Sequence, residues 1–136
     1  MREIPSKDVH PTFRELFSYA TSMEKVDYEI ARYIDSSNRK LYEYQLDDEI
    51  VGFVGVEVIT LKHYEIKHIS VLPDLRGQSI GSKMVKFVCE KHGLSFISAE
   101  TDCDAVEFYR KYGFEVIHLG EKYPGVNRFR CEYKVG

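Results

Sequence analysis

A chain of 136 residues, 43% hydrophobic and 30% charged, has the size and composition of a single globular domain, residues 1–136. A net charge of −3 argues against a nucleic-acid partner, and the three cysteines, Cys89, Cys103 and Cys131, lack the number and spacing of a disulfide framework or a metal clamp. The start, Met1-Arg2-Glu3-Ile4-Pro5, has no apolar leader segment, and the apolar run 51–59 is short and broken by Glu57, so the expectation is a cytoplasmic protein with no membrane partner.

Residues 1–4 read as a short edge strand. His10-Pro11 opens a helical pattern with Phe13, Leu16, Phe17 and Ala20 on one face. A polar link, 21–24, leads to a second short helix over 26–34, with Val26, Ile30 and Ile34 aligned. The period then changes. Residues 40–46 alternate as a strand, Asp47-Asp48-Glu49 make a turn, and 50–59 form a β-branched strand carrying Gly52 and Gly55. The strand 64–71 places Glu65, Lys67, Ile69 and Val71 on one face and Tyr64, Ile66, His68 and Ser70 on the other.

Leu72-Pro73-Asp74-Leu75 ends that strand. Residues 77–92 read as an amphipathic helix with Ile80, Met84, Val85, Val88 and Cys89 inward, capped by Gly93. A strand over 95–99, a helix over 104–112 capped by Gly113, and closing strands over 114–118 and 128–135 around Pro124-Gly125 complete the pattern. The fold class is α/β: a mixed central sheet of six to seven strands with about four flanking helices, containing a βαβ unit over 64–99.

The segment Arg76-Gly77-Gln78-Ser79-Ile80-Gly81-Ser82-Lys83 joins a strand to a helix. Free N–H groups and the positive helix end make such a junction an anion site. Gly77 and Gly81 allow close approach, and Arg76 and Lys83 add charge. It is not a Walker loop, because Ser82 follows Gly81, nor a dinucleotide fingerprint, which needs three glycines. Gly77-Gln78-Ser79-Ile80-Gly81 does match the G-x-S-x-G elbow of serine hydrolases, with Asp102 or Asp104 and His118 following in order. Against it, residues 72–76 separate the strand from the serine. The five histidines show no paired metal-ligand spacing, so no metal is expected. Arg128-Phe129-Arg130 reads as a strand with exposed arginines.

The run from Ile69 to Gly81, Ile-Ser-Val-Leu-Pro-Asp-Leu-Arg-Gly-Gln-Ser-Ile-Gly, resembles the acetyl-CoA-binding motif of GNAT-type N-acetyltransferases. Asp104-Ala105-Val106-Glu107-Phe108-Tyr109-Arg110-Lys111-Tyr112-Gly113-Phe114 resembles the second signature of that family. With the strands around them these motifs cover about residues 50–114. Ser79 departs from the usual glycine, and Asp102 stands where asparagine is frequent.

The resemblance implies acetyl-CoA as cosubstrate, with no metal, and direct transfer of the acetyl group to an amine of a small molecule or protein in a ternary complex. It implies cofactor contacts from Ile69, Ser70, Val71, Arg76, Gly77, Gln78, Ser79, Ile80, Gly81, Ser82, Asp102 and Tyr109. The strands 64–71 and 95–99 would splay, with a backbone N–H near 69–71 polarising the thioester. Tyr109 would protonate the leaving thiolate. Glu65 would take the proton of an amine that is charged at neutral pH (pKa ~10.4), with Glu57 or a water chain as substitutes. The resemblance allows a homodimer. It places the acceptor entrance between 18–28 and 119–126, where Tyr19, Glu24, Asp27, Tyr28, Glu121 and Tyr123 outweigh Lys25 and Lys122 and favour a cationic acceptor. The other readings are a hydrolase using Ser79 and a non-enzymatic acyl-CoA sensor on the same fold.

Overall fold

The computed structural model describes residues 1–3 and 11–136. The elements run β1 (Arg2–Glu3), α1 (Pro11–Ala20), α2 (Val26–Asp35), β2 (Arg39–Leu46), β3 (Glu49–Thr60), β4 (His63–Val71), α3 (Ile80–His92), β5 (Phe96–Thr101), α4 (Val106–Tyr112), β6 (Glu115–Tyr123) and β7 (Val126–Lys134). Ile4 and His10, which the expected first strand and helix include, lie outside the described residues.

One seven-stranded sheet has the order β1-β2-β3-β4-β5-β7-β6. All neighbours are antiparallel except β4 and β5, the pair joined through α3. This is the expected mixed α/β architecture. Several boundaries differ from the sequence pattern, among them α4, which starts at Val106 rather than 104, and β5, which runs to Thr101 rather than 99. The helix expected from residue 77 begins at Ile80, because Gly77 (φ 85°) and Ser79 (φ 64°) are left-handed and cannot continue a right-handed helix. The closing hairpin is longer than expected, since β6 continues past His118 to Tyr123 through bulges. Asp47 and Asp48 both take positive φ, which makes the β2–β3 connection a two-residue hairpin turn.

Two cores lie on opposite faces. On one, α3 and α4 bury Ile80, Met84, Val85, Val88, Val106 and Tyr109 against Val54, Val56, Ile66, Ile97 and Ala99. On the other, α1 and α2 bury Phe13, Leu16, Phe17, Val26, Ile30 and Tyr33 against Leu41 and Phe53. Burying each large side chain contributes about 1.5–3 kcal/mol.

A bulge in β4 changes what the sheet presents. Gly55 pairs with His68 while Val56 pairs with Ile66, so Lys67 is an extra residue. Simple alternation puts His68 opposite Glu65. The bulge shifts the phase instead, and His68 packs on the α1/α2 side against Phe17 and Tyr33. Gly55 is required there, because a Cβ would run into the Tyr33 ring and hydroxyl.

Candidate active site

The strands β4 and β5 are paired only from His63/Phe96 to Ile66/Ala99. Beyond that rung β4 continues to Val71 and β5 to Thr101, each without the other. The strands therefore part, and Ile69, Ser70 and Val71 keep β3 on one edge while the other edge is open. The Ser70 hydroxyl is the one buried side-chain polar atom among the described residues with no hydrogen-bond partner. Leaving such a group unpaired costs about 1–3 kcal/mol, which a ligand bond at the gap can offset.

At the parted strands the chain makes a single 3-10 turn over Pro73–Leu75, then the left-handed turn, then α3. None of the N–H groups from Gly77 through Ser82 finds an acceptor among the described residues. The first bond of the helix is Lys83 N–H to the Ser79 carbonyl at 3.0 Å. These six consecutive donors, without acceptors among the described residues, lie at the positive end of a thirteen-residue helix, a place that favours an anion. Gly77, Gln78 and Ser79 are exposed, Ser82 is half-buried and Ile80 is buried as the first core residue of α3.

The two glycines have different reasons. Gly77 faces open space and is needed for its positive φ. Gly81 is buried, and a Cβ there would lie 2.7 Å from Phe108 Cε1. The space expected to admit a phosphate at Gly81 is filled by the α4 aromatic, so this glycine seats α4 on α3. Arg76 folds back: its Nε donates to the Val71 carbonyl at 3.0 Å and its guanidinium lies 5.6 Å from the Tyr19 ring centre. Asp102 is exposed at the end of β5, and one carboxylate oxygen accepts from the N–H groups of Asp104 and Ala105 at 3.0 Å each. It caps the approach to α4.

Tyr109 is buried between Phe108 and Phe114, edge-on to both rings. Among the described residues nothing bonds its hydroxyl. Burial, then Cys131 and Asp102, raises its pKa far above that of an ordinary phenol, so the proton stays on at any physiological pH.

Glu65 lies on the α1/α2 side of the sheet in a ladder of charges. Arg39 meets Glu57 (3.9 Å), and Lys67 meets both Glu57 (3.2 Å) and Glu65 (2.6 Å). Arg130 meets Glu65 (3.8 Å) and Glu132 (2.9 Å). Arg128 pairs with Glu100, so both arginines of the Arg128-Phe129-Arg130 run serve ion pairs. Next to the ladder, the His68 Nδ1 is 2.6 Å from the Tyr33 hydroxyl, and Nε2 is 3.6 Å from Glu29. Burial, with Arg39, Arg32 and Lys67 nearby, depresses the His68 pKa to about 4. The contact with Glu29 is therefore one of neutral imidazole. Sequence reasoning missed this cluster, and its signal was Gly55, whose missing side chain makes room for Tyr33.

The hydrolase reading is not favoured. Ser79 is exposed and no partner among the described residues bonds its side chain. His118 is bonded to Asn127 at 3.0 Å and rests on Phe129, and Asp102 is committed to its cap. Among the described residues no cluster of His, Cys, Asp or Glu is placed to hold a metal, and no helix is long and apolar enough to cross a membrane.

Residues 36–116 match the family model described as Acetyltransferase (GNAT) domain. The chain belongs to this family. It is 38% identical over 87 residues to the peptidyl-lysine N-acetyltransferase YjaB of Salmonella typhimurium, covering 59% of this chain and 57% of that protein. The chain spans about half the length of the curated relatives it matches. Among solved structures, the IAA acetyltransferase from Bacillus cereus superposes with a TM-score of 0.77 at 21% identity, covering 98% of this chain and 97% of that one. A GNAT family acetyltransferase from Elizabethkingia anophelis with acetyl-CoA bound superposes with a TM-score of 0.72 at 19% identity, covering 98% and 96%. These likenesses define the fold.

Proposed function

We propose that this chain is an acetyl-CoA-dependent N-acetyltransferase, transferring the acetyl group directly to an amine in a ternary complex. The observation that carries the reading is the parting of β4 and β5 beside the six N–H groups from Gly77 to Ser82 that find no acceptor among the described residues. Those donors, with Gln78 alongside and Arg76 once it releases the Val71 carbonyl, hold the pyrophosphate. The open edge at Ile69, Ser70 and Val71 takes the thioester arm, and a backbone N–H there polarises the carbonyl as it gains charge. Tyr109 keeps its proton until the thiolate leaves and then donates it. Glu65 takes the proton of the attacking amine once Lys67 yields, with Glu57 beside it as the second carboxylate. Relatives named as N-acetyltransferases favour an enzyme over a sensor.

The acceptor in this reading is a cationic amine, of a polyamine or a lysine. Tyr19, Glu24, Asp27, Tyr28, Glu121 and Tyr123 are exposed, as an acidic and aromatic entrance requires. The YjaB relative, named as acting on peptidyl-lysine, supports the same class. The test is calorimetry with acetyl-CoA followed by thiol release with spermidine, a lysine peptide and glutamate, each at low and high salt. The expected result is binding, turnover of the two cations and weaker turnover at high salt. Absence of acetyl-CoA binding overturns the enzyme reading, and preference for glutamate overturns the acidic entrance.

A further inference from the structure

Lys67 stands where β4 leaves β5. It is the extra residue of the bulge and directly follows the last rung, Ile66/Ala99. Its ammonium is held on the α1/α2 side, 2.6 Å from Glu65 Oε2 and 3.2 Å from Glu57 Oε2. Arg130 approaches Glu65, Arg39 approaches Glu57, and His68 follows it on the same strand. Burial works against the ammonium, but the hydrogen bonds and charges of Glu65 and then Glu57 outweigh it and raise its pKa.

We propose that Lys67 is itself an acetyl acceptor, a self-modification site served by the chain's own acetyl-CoA. This rests on the acetyltransferase reading above. A lysine is a primary alkylamine, the class of acceptor that reading requires. Tethering to the strand at the gap replaces an encounter with a side-chain swing, and such placement lowers the entropic part of a barrier. The carboxylate assigned as base already touches the amine, so no further group has to be brought in. Nζ gives up one proton to Glu65, which passes it to solvent. Its lone pair attacks the thioester carbon, the carbon–sulfur bond breaks, Tyr109 protonates the departing sulfur, and the second Nζ proton, lost as the amide forms, returns to the Tyr109 oxygen and restores the phenol. The products are acetyl-lysine, the free thiol of coenzyme A and one proton. The modification removes the positive charge that Glu57 and Glu65 share.

The full chain is incubated with acetyl-CoA and no added amine, and followed by intact mass and peptide mapping. The expected result is one acetyl group on Lys67, formed with a rate constant unchanged over a roughly tenfold range of protein concentration, as an intramolecular step requires. It is lost in Lys67→Arg and slowed at least about tenfold in Glu65→Gln and Tyr109→Phe. Acetyl-CoA calorimetry and spermidine turnover, run alongside, report on the enzyme reading separately. Binding and turnover with Lys67 unmodified overturn self-acetylation and leave the enzyme reading standing. So does acetylation of Lys67 no faster than that of exposed Lys86, or equally fast in Tyr109→Phe. A rate that grows with protein concentration overturns transfer within one chain. No binding and no turnover overturn both.

Discussion

On the α3/α4 face of the sheet, Val54, Val56, Met84, Val85, Val88 and Ile97 are sealed from solvent, and that apolar contact fixes where the free N–H groups and Tyr109 point. On the opposite face, beside α1 and α2, the strands carry Arg39, Glu57, Lys67, Glu65, Arg130 and Glu132 in a chain of ion pairs. The first face holds a shape and the second holds charges. A rigid apolar bed suits a ligand gripped by backbone donors, whose geometry cannot adjust. Shared ion pairs on half-exposed side chains can exchange partners, which suits an amine that must arrive charged and leave neutral. The two faces should accordingly fail in different ways.

The largest effect is expected on the apolar face, from Gly81→Glu. Its Cβ would sit 2.7 Å from Phe108 Cε1 and its charge would be buried, so stability should fall by about 3 kcal/mol or more and Tm by about 10 °C. Pairing Gly81→Ala with Phe108→Leu should recover most of the loss seen in Gly81→Ala alone. A Tm unchanged in Gly81→Glu would show that α4 does not rest on this glycine.

Tyr109→Phe sharpens the comparison on the same face, by separating chemistry from packing. The ring stays between Phe108 and Phe114, and only the hydroxyl, which nothing among the described residues bonds, goes. The proposed acid role requires kcat to fall by roughly ten- to several-hundred-fold, with Tm and acetyl-CoA affinity held. An unchanged kcat, with chemistry shown to be rate-limiting, would make Tyr109 a core residue only.

On the charged face the expected signature is a pH dependence. The pKa of His68 is about 4 in the folded chain against an ordinary 6.5, so the unfolded chain binds the proton more readily between those values. Stability from this residue is present above about pH 6.5 and is lost as pH falls toward about 4. Roughly 2 kcal/mol should disappear between about pH 7 and about pH 5. Urea unfolding at both pH values measures it, and His68→Gln should remove that part of the slope. Equal slopes in the two proteins would show that the pH dependence does not come from His68.

The smallest effect is expected at the loop between the faces. Ser79 holds φ at 64°, which costs a side-chain-bearing residue about 1 kcal/mol relative to glycine. Ser79→Gly should stabilise the chain by about that amount and bind acetyl-CoA equally well or better, by thermal unfolding and calorimetry. Weaker binding would mean that the serine side chain contributes to the cofactor site.

Local pattern and motif spacing determined much of this molecule. The periods of 3.6 and 2 located the helices and strands, and two motifs, Ile69 to Gly81 and Asp104 to Phe114, pointed to the family. Turn chemistry marked Gly93 and Gly113, because a left-handed or open φ is a property of one residue and its neighbours. Only the tertiary structure decided the rest. The bulge at Lys67 depends on pairing with β3, which no local pattern encodes, and it alone moved His68 to the face of Glu65. The placement of β7 between β5 and β6, the contact of Gly81 with Phe108, and the sharing of Lys67 between Glu57 and Glu65 join residues far apart in the chain. The sequence names the groups in such contacts, but their distances follow from how the whole sheet pairs and packs.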